Sequence, residues 1–413
     1  MMRRNKICGI LNLTESKSAI DPLTRHRPIA SLPFCSRYRL IDFPLTNLTT
    51  AGVDTIGVFT HDNLRSIYDH VRSGKEWGLD SIYGGLFFFS DPRLDRRANR
   101  FSTEGDLLNY YNNIEFFDKS ESEYTVVMGT RMLCAIDVQA ILRHHIEQGA
   151  EVTVVYKSME NVDNDDQNTS CLTIDEDGRV RGLKSSVLHD KTDHVYMNME
   201  IYLLKTELLT KLIRNGVAEN EHCNLSDLLH QAIVALPSNG FEYTGYMKNI
   251  HSVRSFYEAN MDMLHDSNLL ALLKGSQHIH TKVKNEAPTF YSRSSDVTDS
   301  LIANGCMIHG EVAHSVIFRN VLIEKKTVLN SSVVMQGSSI GSGAELHYVI
   351  LDKNVRIEPN TKLIGTQANP IVIEKNSVIS RIVEGDFTRL TNIGKPIPEV
   401  DSKQSSKGFF HHY

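Results

Sequence analysis

Between residues 316 and 346 an apolar side chain returns every six positions: Val316, Leu322, Val328, Val334, Ile340 and Leu346. Ile302 and Ile308 form an earlier pair, and Leu351, Ile357 and Leu363 resume the period after a slip of five residues. An α-helix repeats about every 3.6 residues and a strand about every two, so neither gives this spacing. A parallel β-helix of hexapeptides does. One apolar side chain per hexad enters the coil, and three hexads complete a turn. The competing reading is an antiparallel sheet whose spacing coincides by chance. A β-helix leaves its end strands open, so its faces or ends are expected to meet another domain or subunit.

The chain before this region has a different rhythm. Lys6–Leu11, Asp54–Thr60, Tyr124–Met128 and Glu151–Tyr156 read as short strands of β-formers, and LFFFS at 86–90 reads as a buried strand. Helical spacing separates them, around Leu45–Ala51, over Asn63–Val71 and over Val138–Gln148, which Gly149 stops. Strands alternating with helices predict parallel βαβ units, with a ligand site at the carboxyl ends of the strands. Ser252–Leu273 reads as one long helix. The expected division is an α/β domain over 1–275, a linker over 276–295, a β-helix over 296–385 and a polar tail over 386–413.

Composition narrows the setting. With 413 residues, 41% hydrophobic and 23% charged, the chain is ordinary globular material. Its net charge of −6 gives no electrostatic case for nucleic acid or an anionic membrane as partner. Cys8, Cys35, Cys134, Cys171, Cys223 and Cys306 are scattered with no CxxC, as expected of buried thiols in a reducing compartment. No apolar run reaches the length of a membrane span or a signal peptide core, so a cytoplasmic location is expected.

Pro22–Asn47 reads PLTRHRPIASLPFCSRYRLIDFPLTN. This segment resembles the bacterial glucose-1-phosphate adenylyltransferases (ADP-glucose pyrophosphorylases), which carry PLT–RAKPAVPF–KYRLIDFPLSN after a GGxGTRL loop. IGVFT at 56–60, YEANMDML at 257–264 and the hexapeptide region extend the likeness over almost the whole chain. The resemblance implies a Rossmann-like nucleotidyltransferase domain, mostly parallel in its sheet, followed by a left-handed β-helix, in a tetramer working in glycogen synthesis. It also implies a reaction in which glucose 1-phosphate attacks the α-phosphorus of ATP with Mg²⁺ as electrophile. Such chemistry needs a glycine loop for the triphosphate, basic groups on the phosphates and two aspartates for the metal.

This chain departs from the pattern at each of those parts. Where the family has its glycine run, it reads Gly9-Ile10-Leu11-Asn12-Leu13-Thr14-Glu15-Ser16, and Glu15 is expected to repel phosphate. Arg27 is kept, but the lysine of RAKPA is Ile29. The family's GDH is Gly129-Thr130-Arg131, and its second metal aspartate, in WRDVGT, is Asn249. No FxEKP motif surrounds Lys184, and NMEIYLL at 198–204 puts Glu200 in place of a glycine. The family aspartate positions are thus Thr130 and Asn249, and no metal and no catalytic residue are expected. Among the family this looks like the non-catalytic GlgD-type subunit: little or no activity alone, weak or absent Mg²⁺-ATP binding, and regulation of a catalytic homologue in a heterotetramer, with self-association also open to it.

The residues expected to line the remnant pocket are Gly9, Arg27, Arg39, Asp42, Gly129 and Asn198. Arg37, Arg39 and Asp42 either line an anion site or form an ion pair that fixes the loop to the first helix. Arg93, Arg96, Arg97 and Arg100 are the candidate effector site for a sugar phosphate or nucleotide, with a solvated loop as the plain alternative. A second reading is an active adenylyltransferase with a rebuilt site, in which Asp42, Asp137 or Asp21 supplies the metal carboxylates. A third is a sensing module for a sugar phosphate or nucleotide. His309, His314 and His347 read as surface or corner residues of the β-helix. His144 and His145 are adjacent on a helix and do not share a face. NVDNDDQN at 161–168 lacks the glycine and glutamate of a calcium loop and reads as a solvent turn.

Overall fold

The computed structural model describes residues 6–15, 18–61, 64–90, 105–159, 170–185, 194–220, 222–275, 277–380 and 382–384. The candidate effector arginines at 93–100, the acidic turn at 161–168 and the tail at 386–413 lie outside the described residues.

The first domain is built on a twisted sheet. Tyr124–Met128, Ile7–Asn12, Thr55–Thr60 and Gly85–Ser90 run parallel, in that order. Val195–Lys205 pairs antiparallel with Tyr124–Met128 and with Val152–Met159, which in turn pairs parallel with Ser238–Glu242. Alternate residues of the first strand enter opposite cores. Ile7 and Leu11 pack under Asp42–Thr50 and Val138–Gln148, with Leu45, Leu48 and Ile141. Cys8 and Ile10 pack under Leu107–Asn112, Thr206–Glu219 and Leu225–Ala235, with Tyr110, Ile213 and Leu229.

Two sequence expectations change here. The strand Gly85–Ser90 pairs only with Thr55–Thr60 among the described residues, and Phe87 is 43% exposed. It is a flank of the sheet rather than a buried strand. The long helix is two: Val253–Asp262 and Asp266–Leu273. Ser252 and Ser255 form a capping box at the first start. His265 is extended, and the Asp262 carbonyl accepts from the His265 N–H and from the Asn268 side-chain amide, so the polar run Asp-Ser-Asn opens a new helix instead of continuing the old one.

The second domain is a triangular parallel β-helix whose three sheets stack short strands. Its first strand, Phe290–Tyr291, falls in the stretch read as linker. Val316 pairs with Val333 and Leu322 with Ser339, so these central coils are one residue short of three hexads. The slip of five falls at their junctions. The inward residues are Ile317, Ile323 and Leu329, then Val334, Ile340 and Leu346, then Leu351, Ile357 and Leu363. Corner residues Asn320, Asn354, Asn360 and Asn376 take positive φ, a conformation asparagine tolerates.

Val316 is buried for another reason. On one face of the prism the outward residues are also apolar: Leu301, Val316, Val333, Ile350 and Val372. They pack on Ile20, Phe34, Phe43, Phe256 and Tyr257 of the first domain. Val316, Val333, Ile350 and Val372 are each fully buried. Each contributes roughly 1.5–3 kcal/mol by leaving water. The Tyr257 hydroxyl donates to the Ser331 carbonyl across the seam at 2.8 Å, and the Arg27–Asp352 pair spans it at 2.8 Å. Among the described residues no helix is long and apolar enough to cross a membrane.

Candidate functional site

The carboxyl ends of Ile7–Asn12 and Tyr124–Met128 lie side by side, with Leu11 opposite Met128. The loop Leu13–Glu15 leaves one and the turn Gly129–Arg131 leaves the other, at the place where open α/β sheets hold ligands. Here the two segments hold each other. Glu15 Oε1 accepts from the backbone N–H groups of Thr130 at 2.5 Å and Arg131 at 2.8 Å. Its Oε2 accepts from the Thr130 hydroxyl at 2.9 Å. A Cβ on Gly129 would run into this carboxylate, so the glycine is what lets Glu15 seat. Burial pushes the Glu15 carboxyl above its ordinary range, and the two amides, the Arg131 charge and the Thr130 hydroxyl pull it back only in part.

One residue earlier, the Thr14 hydroxyl lies 2.7 Å from Asn12 Oδ1 and 2.6 Å from Asp106 Oδ2. A hydroxyl has one hydrogen. Its hydrogen is shared between these two acceptors. Burial raises the Asp106 carboxyl, and the Thr14 hydroxyl and the Leu225 N–H pull it back in part. Thr14 and Glu15 thus tie the loop to Asp106 on one side and to the Gly129–Arg131 turn on the other.

Arg131 points the other way and pairs with Glu200 at 2.9 Å. Glu200 sits at φ 54°, where the strand Val195–Lys205 shifts register between Asn198 and Tyr202. A non-glycine residue there costs about 1 kcal/mol. Asn198 holds the irregularity in place: its Oδ1 accepts from the Glu200 N–H at 2.9 Å, and its Nδ2 donates to the Tyr202 hydroxyl at 3.0 Å. The Ile250 N–H donates to the Arg131 carbonyl at 2.8 Å, and Asn249 pairs with Met132, so the turn that carries Thr130 lies beside the strand that carries Asn249. These residues do not fit a divalent cation. The two positions offer a hydroxyl and an amide, while Glu15 and Glu200 are committed to amides and to a guanidinium that would repel the ion.

The six candidate pocket residues separate into two groups. Gly129 and Asn198 belong to this pocket. Gly9 lies within the first strand and faces Leu48 in the core. Asp42 is fully buried, accepts from the Arg39 N–H at 2.9 Å and lies 2.5 Å from His70 Nε2. Arg27 and Arg39 stand at the seam between the domains, so the expectation that they share the pocket is corrected. The carboxylates invoked for a rebuilt metal site are engaged elsewhere as well: Asp137 caps Val138–Gln148, and Asp21 pairs with Arg25 at 2.8 Å. Lys184 pairs with Cys171 on the outer hairpin of the sheet. His314 is a corner residue paired with Asp299, His347 lies by Glu345, and His309 packs on Phe290. His145 is buried against Thr153 while His144 meets Phe241 on another side.

Sequence reading missed two features. One is the seating of Glu15, which closes the pocket rather than standing as a loose repelling charge. The other is a basic cluster at the seam. Burial and repulsion from Arg39, Arg27 and Lys375 push the Lys353 ammonium down to about 6. Burial lowers Arg39 to about 10, with Arg27 and Arg319 adding repulsion. Burial lowers Lys282 and Lys284 too, with repulsion from Lys284, Arg72 and Arg39 on the first and from Arg319, Arg39 and Arg72 on the second. Asp352, Asp42 and Glu286 compensate only part of this charge. No local motif signals it, because its members are hundreds of residues apart.

A helix-covered sheet with a strand-end pocket, joined to a triangular β-helix, defines a nucleotidyltransferase-type chain with a hexapeptide domain. Residues 18–266 match the Nucleotidyl transferase family model, and residues 285–370 match the GlmU-like, C-terminal hexapeptide model, which makes the second domain a left-handed β-helix of that type. Over 377 residues the chain is 32% identical to the glycogen biosynthesis protein GlgD of Bacillus subtilis (strain 168), covering 91% of this chain and 98% of that protein. It is 34% identical to GlgD of Geobacillus stearothermophilus, covering 92% and 99%. It is 27% identical to the glucose-1-phosphate adenylyltransferase of Bacillus mycoides (strain KBAB4), covering 87% and 95%. The chain belongs to the Nucleotidyl transferase family and, within it, groups with the GlgD glycogen biosynthesis proteins, with glucose-1-phosphate adenylyltransferases among its relatives.

Proposed function

We propose that this chain is a catalytically impaired regulatory subunit of an ADP-glucose pyrophosphorylase in bacterial glycogen synthesis, and that it works in a heterotetramer with a catalytic homologue. The observation that carries this reading is the Glu15 carboxylate seated on Thr130 and Arg131, in the place where the family is expected to hold its metal. Phosphates approaching this turn meet a carboxylate, and Mg²⁺ meets a guanidinium. Mg²⁺-ATP therefore binds weakly or not at all. The names of the relatives support the pathway, and the scattered free cysteines suit a reducing cytoplasm.

Regulation acts through differential affinity: the subunit biases its partner by binding the partner's active state more tightly than the inactive one. The seam supplies a place for an effector. An anion such as a sugar phosphate or a nucleotide would relieve the repulsion among Arg27, Arg39 and Lys353, which adds to burial in pushing Lys353 down to about 6.

The test is ADP-glucose synthesis from ATP and glucose 1-phosphate with Mg²⁺, followed by pyrophosphate release. It is run on this chain alone, on a catalytic homologue alone and on the mixture. Silence alone with enhancement in the mixture is the expected result, and robust turnover by this chain alone overturns it. The double variant Thr130→Asp/Asn249→Asp is expected to stay silent, because Glu15 and Arg131 still fill the pocket. ADP-glucose from that variant would mean that the loop is open enough for chemistry.

A further inference from the structure

Three donors of one turn converge on the Glu15 carboxylate: the N–H groups of Thr130 and Arg131 and the Thr130 hydroxyl. Convergent backbone N–H groups make a concave oxyanion receptor, whoever supplies the oxyanion. Arg131 adds positive charge beside it, and its buried Nε has no hydrogen-bond partner among the described residues. Gly129 supplies the clearance, since any side chain there would occupy the seat. The receptor is thus built from Gly129, Thr130 and Arg131, and Glu15 is its occupant from a separate loop.

We propose that the Gly129–Arg131 turn is a binding site for a small oxyanion, a carboxylate or phosphate group, which the chain keeps closed by using Glu15 as a tethered ligand. A position expected to hold a cation has become an anion receptor, and the receptor is self-occupied. On this proposal the tether keeps free anions out of the seat. A ligand on a short loop presents an effective concentration in the millimolar range or above, so a free anion of similar intrinsic affinity competes poorly. Thr14, bonded to Asn12 and Asp106, shortens the tether further. The proposal concerns this chain alone and does not depend on the partner subunit.

The test removes the tethered ligand and offers a free one. Glu15→Gly and the wild-type chain are titrated with sodium acetate, sodium phosphate and, for ionic strength, sodium chloride, with thermal unfolding and calorimetry as readouts. Glu15→Gly is expected to gain acetate or phosphate binding at least about tenfold tighter than the wild type, with a matching rise in Tm that chloride does not give. A preference for acetate over phosphate, or the reverse, identifies which oxyanion the seat was shaped for. Adding Thr130→Val to Glu15→Gly is expected to abolish most of the gain. Equal responses of Glu15→Gly and wild type to all three salts would overturn the proposal. Should Glu15→Gly fail to fold, Glu15→Gln keeps the side chain's size and removes its charge. The amide protons of Thr130 and Arg131 are then expected to move upfield of their wild-type positions in a backbone NMR spectrum. Unmoved amides would show that no carboxylate is seated there, and would equally overturn the proposal.

Discussion

The strand-end pocket and the seam between the two domains handle charge in opposite ways. In the pocket, Glu15 is matched to two amides and a hydroxyl, and Arg131 is matched to Glu200. At the seam, Arg27 has Asp352, but burial and, after it, neighbouring cations shift Arg39 and Lys353 toward their neutral forms. Polar groups that satisfy one another leave nothing for a ligand to improve. Groups that repel one another in a partly buried place gain from an anion. The region that family resemblance marks as the active site is therefore the quieter of the two, and the region between the domains holds the unspent charge.

The comparison can be broken by testing how much each region carries. The largest effect is expected at the apolar face of the seam. Val333→Asp puts a carboxylate where the side chain is fully buried between the domains, and is expected to cost more than about 3 kcal/mol. Calorimetric unfolding would follow it, and a loss below about 1 kcal/mol would mean that the two domains are not packed as one unit.

Next comes the buried ion pair. Arg27→Met leaves Asp352 without its partner at 7% and 6% side-chain exposure, and is expected to cost about 3–5 kcal/mol. Adding Asp352→Leu should restore most of that in a double-mutant cycle, because the cost lies in the orphaned charge. No recovery in the double variant would place the cost in packing instead.

Lys353 sharpens the comparison through pH. Its folded pKa is lowered to about 6, so the unfolded chain binds this proton more tightly than the native state. Wild-type stability from this group is complete only above the ordinary lysine range. It falls as pH drops toward about 6 and levels off below that. Lys353→Met is expected to flatten that slope and to be the more stable form near neutrality, as read from Tm against pH. An unchanged slope would mean that Lys353 reaches solvent.

The smallest effect is expected in the pocket. Glu200→Gly relieves a positive φ worth about 1 kcal/mol and loses a partly exposed ion pair worth about 1 kcal/mol or less. The two nearly cancel, so Tm should move by only a few degrees. A loss comparable to that of Arg27→Met would show that the pocket is as tightly coupled as the seam.

Much of the architecture was readable before folding because it depends on near neighbours. The hexad period, the strands Ile7–Asn12 and Tyr124–Met128 and the glycine stop at Gly149 are local patterns that hydrophobic spacing and backbone chemistry enforce. The division of Ser252–Leu273 was less legible, since it rests on a turn in which the His265 N–H and the Asn268 amide both reach the Asp262 carbonyl. The residues at the family's aspartate positions, Thr130 and Asn249, were legible through family resemblance alone.

By itself the sequence determined that an α/β domain precedes a hexapeptide β-helix, and that hydroxyl and amide side chains stand where carboxylates were expected. Only the tertiary structure decided that Glu15 turns into the pocket instead of out of it, that Val316, Val333 and Ile350 serve the seam rather than the coil, and that Arg27 meets Asp352 from the far end of the chain. The physical reason is range. Periodicity and turn chemistry act over a few residues, whereas a buried carboxylate or guanidinium takes its direction from whichever donors, acceptors and charges folding brings within hydrogen-bond distance.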